Sequence, residues 1–242
     1  MTDQDLWEHN AAWWQQGFTE GADPEYEEQI LPMLSAHLDG SKRVLDVGSG
    51  EGQVGRRAAG LSGVTFVVGV DPTWAQVKVA AQRGGGVTVV RARAEELPFV
   101  PSCFDAAVAC LVFEHIGALD EAIAEVGRVL SAGGRFLLLL NHPLLQTPGS
   151  GWIDDTILDE QYWRIGPYLV EDSRPEEVEK DVWIPFIHRP LSRYVNALAS
   201  AGMYLTRMEE PAPPPGFLGR AAEYRDAATI PRLLVLRAEK LG

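Results

Sequence analysis

Short apolar runs recur along residues 43–141, each about one strand long, with amphipathic stretches between them. RVLDVG (43–48), TFVVGVD (65–71), VTVVRA (87–92), FDAAVACLV (104–112) and GRFLLLLN (134–141) are rich in Val, Leu and Phe. Continuous runs of this kind fit strands covered on both faces rather than strands with one wet face. The segments between them predict helices over 52–60, 73–83 and 119–131. In the last of these, Leu119, Ile123, Val126 and Leu130 fall on one helical stripe, and Ala132-Gly133-Gly134 is placed to end it. Repeated βα units of this length imply a parallel sheet with right-handed crossovers.

The pattern breaks after residue 141. Residues 142–190 hold prolines, the acidic run EDSRPEEVEK (171–180), and the aromatics Trp152, Tyr162, Trp163, Tyr168, Trp183 and Phe186. A stretch this long does not fit an unstructured loop in a compact domain, so it reads as an inserted cap. LSRYVNALASA (191–201) predicts a helix. Strands follow at 203–208 and 233–239, with the stiff segment PAPPPGF (211–217) between them as a rim. Two late strands around a loop suggest a reversed strand at the sheet edge. At the other end of the chain, Trp7, Trp14 and Phe18 follow helical spacing, which suits a packing face.

Composition narrows the partners. The chain has 242 residues, 46% hydrophobic and 23% charged, which suits one α/β domain over 1–242 with an insertion. No apolar run reaches the ~18 residues that span a bilayer. The start, MTDQDLWEHN, is too acidic for a secretory signal. No membrane partner is therefore expected, and the cytoplasm is the expected compartment. The net charge of −13 and the lack of a Lys/Arg cluster argue against nucleic acid. A neutral or cationic small molecule fits better. Cys103 and Cys110 offer neither a disulfide framework nor metal-ligand spacing, so no metal is expected, and Cys110 reads as a buried, inert thiol.

The chemistry concentrates at VLDVGSGEG (44–52). An apolar strand ends at Asp46, and glycines follow at 48, 50 and 52. Glycine tolerates positive φ and lets a ligand approach the backbone, so the turn proposes a nucleotide-like cofactor at the end of the first strand. Gly50 to Gly55 formally match G-x-G-x-x-G, which also suits a dinucleotide. Asp71 ends the second strand 21 residues after Gly50, where an acidic side chain can accept from both hydroxyls of a ribose. It can also serve merely as a turn or cap residue with Pro72.

Four blocks then carry a resemblance. VLDVGSGEG (44–52), VGVDPT (68–73), ARAEELPF (92–99) with SCFDAAVACLVFEHI (102–116), and EVGRVLSAGGRFLLLLNHP (125–143) stand in the order found in class I S-adenosylmethionine-dependent methyltransferases. The chain resembles that family, and within it the small-molecule methyltransferase type 11 kind, over about residues 40–143. The resemblance implies a Rossmann-like, doubly wound α/β sheet of seven strands with the last antiparallel, here joined by a helical and aromatic cap. It implies S-adenosylmethionine as cofactor. Asp46 would order the glycine loop, and Gly48, Ser49 and Gly50, with Gly52 in the same loop, would run beneath the methionyl part and ribose. Asp71, followed by Pro72, would bind the ribose hydroxyls. Ala94 and Glu95 would sit beside the adenine, and Cys110 and Leu111 would border the methionyl group. One departure stands out: Arg93 occupies the position where the family has an acidic residue for the adenine amino group, and arginine has only donors.

The expected reaction is methyl transfer to oxygen or nitrogen of a small molecule, giving S-adenosylhomocysteine. The protein would mainly align the two reactants and exclude water. His142, His188 and His115 lie near strand ends or in the insertion and are the candidate bases. The six cap aromatics are the candidate acceptor pocket, and residues 1–40 a helical lid, as in related enzymes. The rival readings are an NAD-type oxidoreductase and a non-catalytic binding protein for the same cofactor. The assembly would be a monomer or a homodimer.

Overall fold

The computed structural model describes residues 3–242; Met1 and Thr2 of the expected lid lie outside the described residues. In chain order the elements are α1 (Asp3–Gly17), α2 (Leu31–Leu38), β1 (Arg43–Val47), α3 (Gln53–Ala59), β2 (Phe66–Asp71), α4 (Trp74–Arg83), β3 (Val87–Arg91) and β4 (Phe104–Cys110). They continue with α5 (Leu119–Val129), β5 (Leu130–Asn141), α6 (Pro143–Gln146), β6 (Gly151–Asp155), β7 (Glu160–Arg164), β8 (Asp172–Glu179) and β9 (Val182–His188). The last are α7 (Leu191–Ser200), β10 (Met203–Glu209), α8 (Pro215–Arg220) and β11 (Leu233–Lys240). One turn of π-helix, Tyr26–Ile30, leads into α2.

Seven strands form one sheet in the order β10-β11-β5-β4-β1-β2-β3. The central pairs, β1 with β2 and β4, and β4 with β5, are parallel. β11 runs antiparallel to both β5 and β10. The reversed strand is thus β11, as expected, but it is inserted inside the sheet, and β10 takes the edge. The apolar runs explain the double covering. Side chains alternate between faces along a strand. In β5, Phe136, Leu138 and Leu140 face the core built with α5 and α7, while Leu137 and Leu139 face the core built with the π-turn, α2 and α3. β1 divides in the same way, with Leu45 and Val47 on the first face and Val44 on the second.

Two expectations shift at element ends. α5 stops at Val129, and Leu130 opens β5 instead of closing the helical stripe. Leu119, Ile123 and Val126 keep the stripe and are fully buried. The segment 211–217 is not a plain rigid linker: Pro215 starts the short helix α8, with proline at its first turn, where a missing N–H costs nothing.

The insertion differs more. Its aromatics are present, but apart from the four-residue α6 its regular structure is two antiparallel hairpins, β6–β7 and β8–β9, rather than helix. EQYWR alternates with a period of two, and VWIPFIH carries β-branched and aromatic residues, features that favour strands. The β8–β9 hairpin reaches across the carboxyl end of the sheet and meets α1. Asn10 Nδ2 donates to the Trp183 carbonyl at 2.8 Å, and Trp13 Nε1 donates to Glu179 at 2.6 Å. At its other side α1 grips the sheet: Glu8 accepts from the backbone N–H groups of Trp74 and Ala75 at the start of α4, at 2.6 and 3.0 Å. Among the described residues, no helix is long and apolar enough to cross a membrane.

Phe136 is fully buried at the centre of the sheet and packs against Phe113, ring centroids 5.8 Å apart. Phe136→Ala is expected to cost about 3–5 kcal/mol of stability, the usual loss for truncating a core aromatic. Urea unfolding followed by circular dichroism measures it.

Candidate active site

At the carboxyl end of β1 the chain turns three times through left-handed glycine conformations. Gly48, Gly50 and Gly52 have φ of 68°, 53° and 89°. A side chain at Gly48 would also collide with Val112, since its Cβ would lie 2.4 Å from a Val112 methyl. The loop is tied to the next strand: Ser49 N–H donates to the Val70 carbonyl at 2.9 Å, and Gly50 N–H donates to Asp71 Oδ2 at 2.9 Å. The other Asp71 oxygen accepts from Thr73 N–H at 2.8 Å and so caps the entry to α4.

These elements enclose about 1250 Å3 of space free of protein atoms, open solvent at the mouth included. That is ample for a ligand the size of a nucleoside joined to an amino acid. Asp46, Gly48, Ser49, Gly50, Asp71, Pro72, Ala94, Glu95, Cys110 and Leu111 all line it. Of the cofactor residues expected from sequence, only Gly52 does not; it stands behind the loop as the left-handed residue before α3, its N–H bonded to the Ser49 carbonyl. Arg93 also borders this cavity, half-exposed at the rim, and donates to Glu95 at 2.7 Å. The arginine therefore occupies the carboxylate expected beside an adenine.

Three buried polar atoms around the loop have no hydrogen-bond partner among the described residues: Asp46 Oδ2, Ser49 Oγ and Glu51 Oε1. Glu51 was missed in the sequence. Its second oxygen is held by Arg56 at 2.6 Å and by Arg83. Burial pushes the Asp46 carboxyl up to about 7, against the Gly55 N–H that favours its charged form, with Asp71 and Glu51 adding repulsion. Burial likewise raises Asp71, opposed by the N–H groups of Thr73 and Gly50. A cradle of glycine backbone, unpaired acceptors and buried carboxylates fits a cofactor that carries hydroxyls, an ammonium and a sulfonium. The Cys110 thiol is raised by burial, its Sγ 4.0 Å from the Tyr26 hydroxyl, and it remains protonated and inert as the sequence suggested.

A second cavity adjoins the first. Both are lined by Trp14, Tyr26, Leu111 and His115. The second adds Trp13, Phe18, Ile184 and Phe186 as apolar walls, with Asn141, Gln146 and Arg232 among its polar groups. Leu111, at the junction, has φ of 56°, an unusual conformation for a residue with a side chain and one that tends to mark functional sites.

The aromatic expectations are redrawn here. Phe186 alone of the six cap aromatics lines this cavity. It shares a strand face with Ile184, which leaves Trp183 on the opposite face, 44% exposed. Trp152 and Trp163 are a cross-strand pair, and Trp152 stacks on Tyr224 at 5.1 Å. Tyr162 is exposed, and the Tyr168 hydroxyl accepts from Leu191 N–H at 2.9 Å. The aromatic walls come instead from the N-terminal segment. Trp14 stacks on Phe18 at 4.4 Å, and Trp7 meets His115 edge-on at 5.0 Å. One helical stripe is therefore both the packing face and the cavity wall.

The histidines separate as sharply. His142 does not line either cavity. Its Nδ1 accepts from Leu144 N–H at 3.1 Å and its Nε2 donates to Glu210 at 2.8 Å, so it is a helix cap with both nitrogens engaged. His188 donates from Nε2 to the Tyr168 carbonyl at 2.8 Å and also stays outside. His115 lines both cavities. Its Nδ1 donates to the Pro185 carbonyl at 2.6 Å, which leaves Nε2 as the nitrogen with a lone pair. Burial lowers the ring to about 4, opposed by the Pro185 carbonyl, so it is neutral at pH 7. Asn141, immediately before His142, is another residue the sequence missed. Neighbours in an extended chain point to opposite sides, so the strand end that turns Asn141 toward the cavity turns His142 away.

The loop bearing His115 is fixed from behind. Arg189, buried, donates to the carbonyls of Phe113 at 3.0 Å, Ile116 at 2.7 Å and Gly117 at 3.1 Å. Its ion pair with the cap's Glu171 is longer, 3.9 Å. Beside it Glu114 accepts from both the backbone N–H and Nδ2 of Asn141, at 3.1 and 2.9 Å, and burial raises its carboxyl to about 7.

Sheet order, reversed β11 and glycine loop together define a nucleotide-cofactor α/β fold of the methyltransferase kind. Comparison with known proteins agrees. Residues 45–138 match the family model of a methyltransferase domain. A solved S-adenosylmethionine-dependent methyltransferase from Mesorhizobium loti superposes with a TM-score of 0.74 at 26% identity, over 86% of this chain and 96% of that one. A second, from Listeria monocytogenes, shares the fold with a TM-score of 0.73 at 23% identity, over 89% and 97% of the two chains. The ubiquinone/menaquinone biosynthesis C-methyltransferase UbiE of Rhizobium leguminosarum bv. trifolii is 32% identical over 161 residues, which are 62% of this chain and 60% of that protein. The chain thus spans about three fifths of the length of the curated relatives it matches. In sequence over the matched residues and in fold, the chain is similar to S-adenosylmethionine-dependent methyltransferases.

Asp71→Ala removes two acceptor oxygens and frees the Gly50 N–H. It is expected to weaken S-adenosylhomocysteine binding by about 100-fold or more, measured by calorimetry. Asp46 predicts a pH effect. Its folded value stands above that of the free carboxyl, so its contribution to stability is complete below about pH 4 and is lost as pH rises toward 7. Asp46→Asn should reduce the fall in unfolding free energy across that window by up to ~1.4 kcal/mol per pH unit, measured by urea titrations at several pH values. Glu114 keeps a parallel slope in the variant.

Proposed function

We propose that this chain transfers the methyl group of S-adenosylmethionine to a small molecule held in the second cavity. The observation that carries this reading is the shared wall of Trp14, Tyr26, Leu111 and His115, which sets an acceptor compartment directly against the cofactor compartment. The bound cofactor supplies an electrophilic methyl on a sulfonium. The chain's task is to align the acceptor with it and to keep water out.

In this reading the glycine loop with Asp46, Gly48, Ser49 and Gly50 supports the methionyl part, Asp71 takes the ribose hydroxyls, and the backbone around Ala94 meets the adenine. Helix α1 is the lid and the β8–β9 hairpin the cap. The aromatic faces of Trp7 and Trp14 suit a cationic sulfur. Of the three candidate histidines, His115 is the one to orient the acceptor and take its proton. Its neutral ring is ready to accept at pH 7 without first losing a proton. Its low basicity suits an acceptor whose proton is already acidified, or one that loses its proton after transfer.

The acceptor atom extends beyond the oxygen or nitrogen expected from sequence. The relatives named above carry C-methyltransferase in their names, which supports carbon as an equal choice. A flat, largely apolar acceptor fits walls of Trp13, Trp14, Phe18 and Phe186. The acidic surface favours neither nucleic acid nor an anionic membrane as partner.

Incubation with methyl-labelled cofactor and a metabolite extract, followed by identification of the labelled product, tests the proposal; a protein that binds S-adenosylhomocysteine but labels nothing would refute it. With the acceptor in hand, Phe186→Ala should raise its KM about ten-fold, for the loss of one aromatic wall, and leave S-adenosylhomocysteine affinity unchanged. Trp152→Ala should change neither, and steady-state kinetics separates the two.

A further inference from the structure

Methyl transfer between the two cavities passes their shared wall, so the polar atoms of that wall meet the charge that moves. Trp14, Tyr26, Leu111 and His115 line both cavities. The Leu111 side chain is apolar, and the Trp14 indole N–H is a donor only, which does not suit a cation. His115 Nε2 is engaged with the acceptor in the reading above. The remaining polar group is the Tyr26 hydroxyl. Its place is set by one turn of π-helix, Tyr26–Ile30, closed by the Leu31 N–H on the Tyr26 carbonyl. Such turns are rare and concentrate at functional sites. This one buries Tyr26 and Ile30 together. The Tyr26 ring reaches the end of β4, where its hydroxyl accepts from the Cys110 thiol at 4.0 Å. Cys110 lines the first cavity and not the second, so the hydroxyl stands on the cofactor side of the shared wall. A thiol is a weak donor, and the phenol oxygen keeps acceptor capacity beside it. Burial pushes the Tyr26 hydroxyl well above its usual value, with Cys110, Asp23 and Glu114 adding to it, so the group is a neutral phenol.

The surrounding charge has the same sense. Arg93 is the only Lys or Arg among the described residues that line the first cavity, and it is paired with Glu95. Asp46 and Asp71 line it as well and are bonded to backbone N–H groups instead of cations. Resting on the methyltransferase reading, we infer that the Tyr26 hydroxyl oxygen faces the sulfonium and reads the charge of the donor: it adds to the affinity for the cationic cofactor and adds nothing to that for the neutral product. When the S–C bond to the methyl breaks, its electron pair stays on sulfur, and the product is an uncharged thioether. The contact at Tyr26 then loses its charge-assisted part. Donor binding and product release are separated at one oxygen.

The test is calorimetry on the full chain without acceptor. The ligands are S-adenosylmethionine, sinefungin, which carries an ammonium where the sulfonium stands, and S-adenosylhomocysteine. Tyr26→Phe keeps the ring and removes the oxygen. It is expected to weaken both cationic ligands about ten-fold and to leave S-adenosylhomocysteine within about two-fold of wild type, a split that a merely structural loss does not produce. An equal loss for all three ligands, or no change in any, would overturn the inference and leave the methyltransferase reading standing. The wild-type protein gives a second measurement that needs no variant. The methyl protons of bound, methyl-13C-labelled S-adenosylmethionine should resonate downfield of those in the free cofactor, as a C–H group donating to oxygen requires. An upfield or absent shift, the mark of aromatic faces alone, also refutes it. Failure of the wild-type protein to bind any of the three ligands would instead remove the methyltransferase reading and the inference with it.

Discussion

The structure depends on one carboxylate. Asp71, at the end of β2, accepts from Gly50 N–H on one side and from Thr73 N–H on the other. The first bond holds the glycine loop after β1 and the second starts α4. A turn with three left-handed glycines has no side chains to shape it, and a loop of that kind is entropically costly to order. Its form is set from outside, by the neighbouring strand. The floor of the cofactor cavity is therefore a property of the β1–β2 pair, and parallel register is what brings Asp46 and Gly69 level and Asp71 within reach.

The opposite wall is built by the same device at longer range. The loop after β4 holds one turn of 3-10 helix, Phe113–His115, and its carbonyl groups keep lone pairs for a further donor. Arg189, arriving from the end of the insertion, donates to three of them. Burying a guanidinium is costly unless every donor finds a partner, and here the partners are main-chain oxygens of the loop that carries His115. The floor of the first cavity and the wall it shares with the second are each held by one charged side chain bonded to backbone.

What could be read from the sequence follows from which interactions are local. The sheet strands were legible because a doubly covered strand must be a continuous apolar run, and the glycine loop because positive φ demands glycine. The fate of α5's stripe was legible up to Val126, but Leu130 looks the same on a helix as at the start of a strand. The cap was hidden for a different reason. Aromatic content does not say which face of a hairpin meets the core, and Trp152, Trp163 and Trp183 turned out to pack or project elsewhere. Likewise His142 looked catalytic by its position, whereas one residue of strand alternation gave that position to Asn141. Tyr26, Thr19 and Gln76 line the cofactor cavity without any motif to mark them, because only tertiary folding brings them there.

The hairpin β8–β9 makes two contacts through main-chain oxygens: Trp183 O receives Asn10 of α1, and Pro185 O receives His115. Neither bond depends on what side chain the hairpin carries at those positions. Walls and chemistry are thereby uncoupled in descent. Substitution of Ile184 and Phe186 can redraw the walls of the second cavity, while the imidazole keeps its tautomer and the helix keeps its seat. A chain built on this plan can reshape its second cavity by changes in one ribbon and leave the cavity at the glycine loop intact.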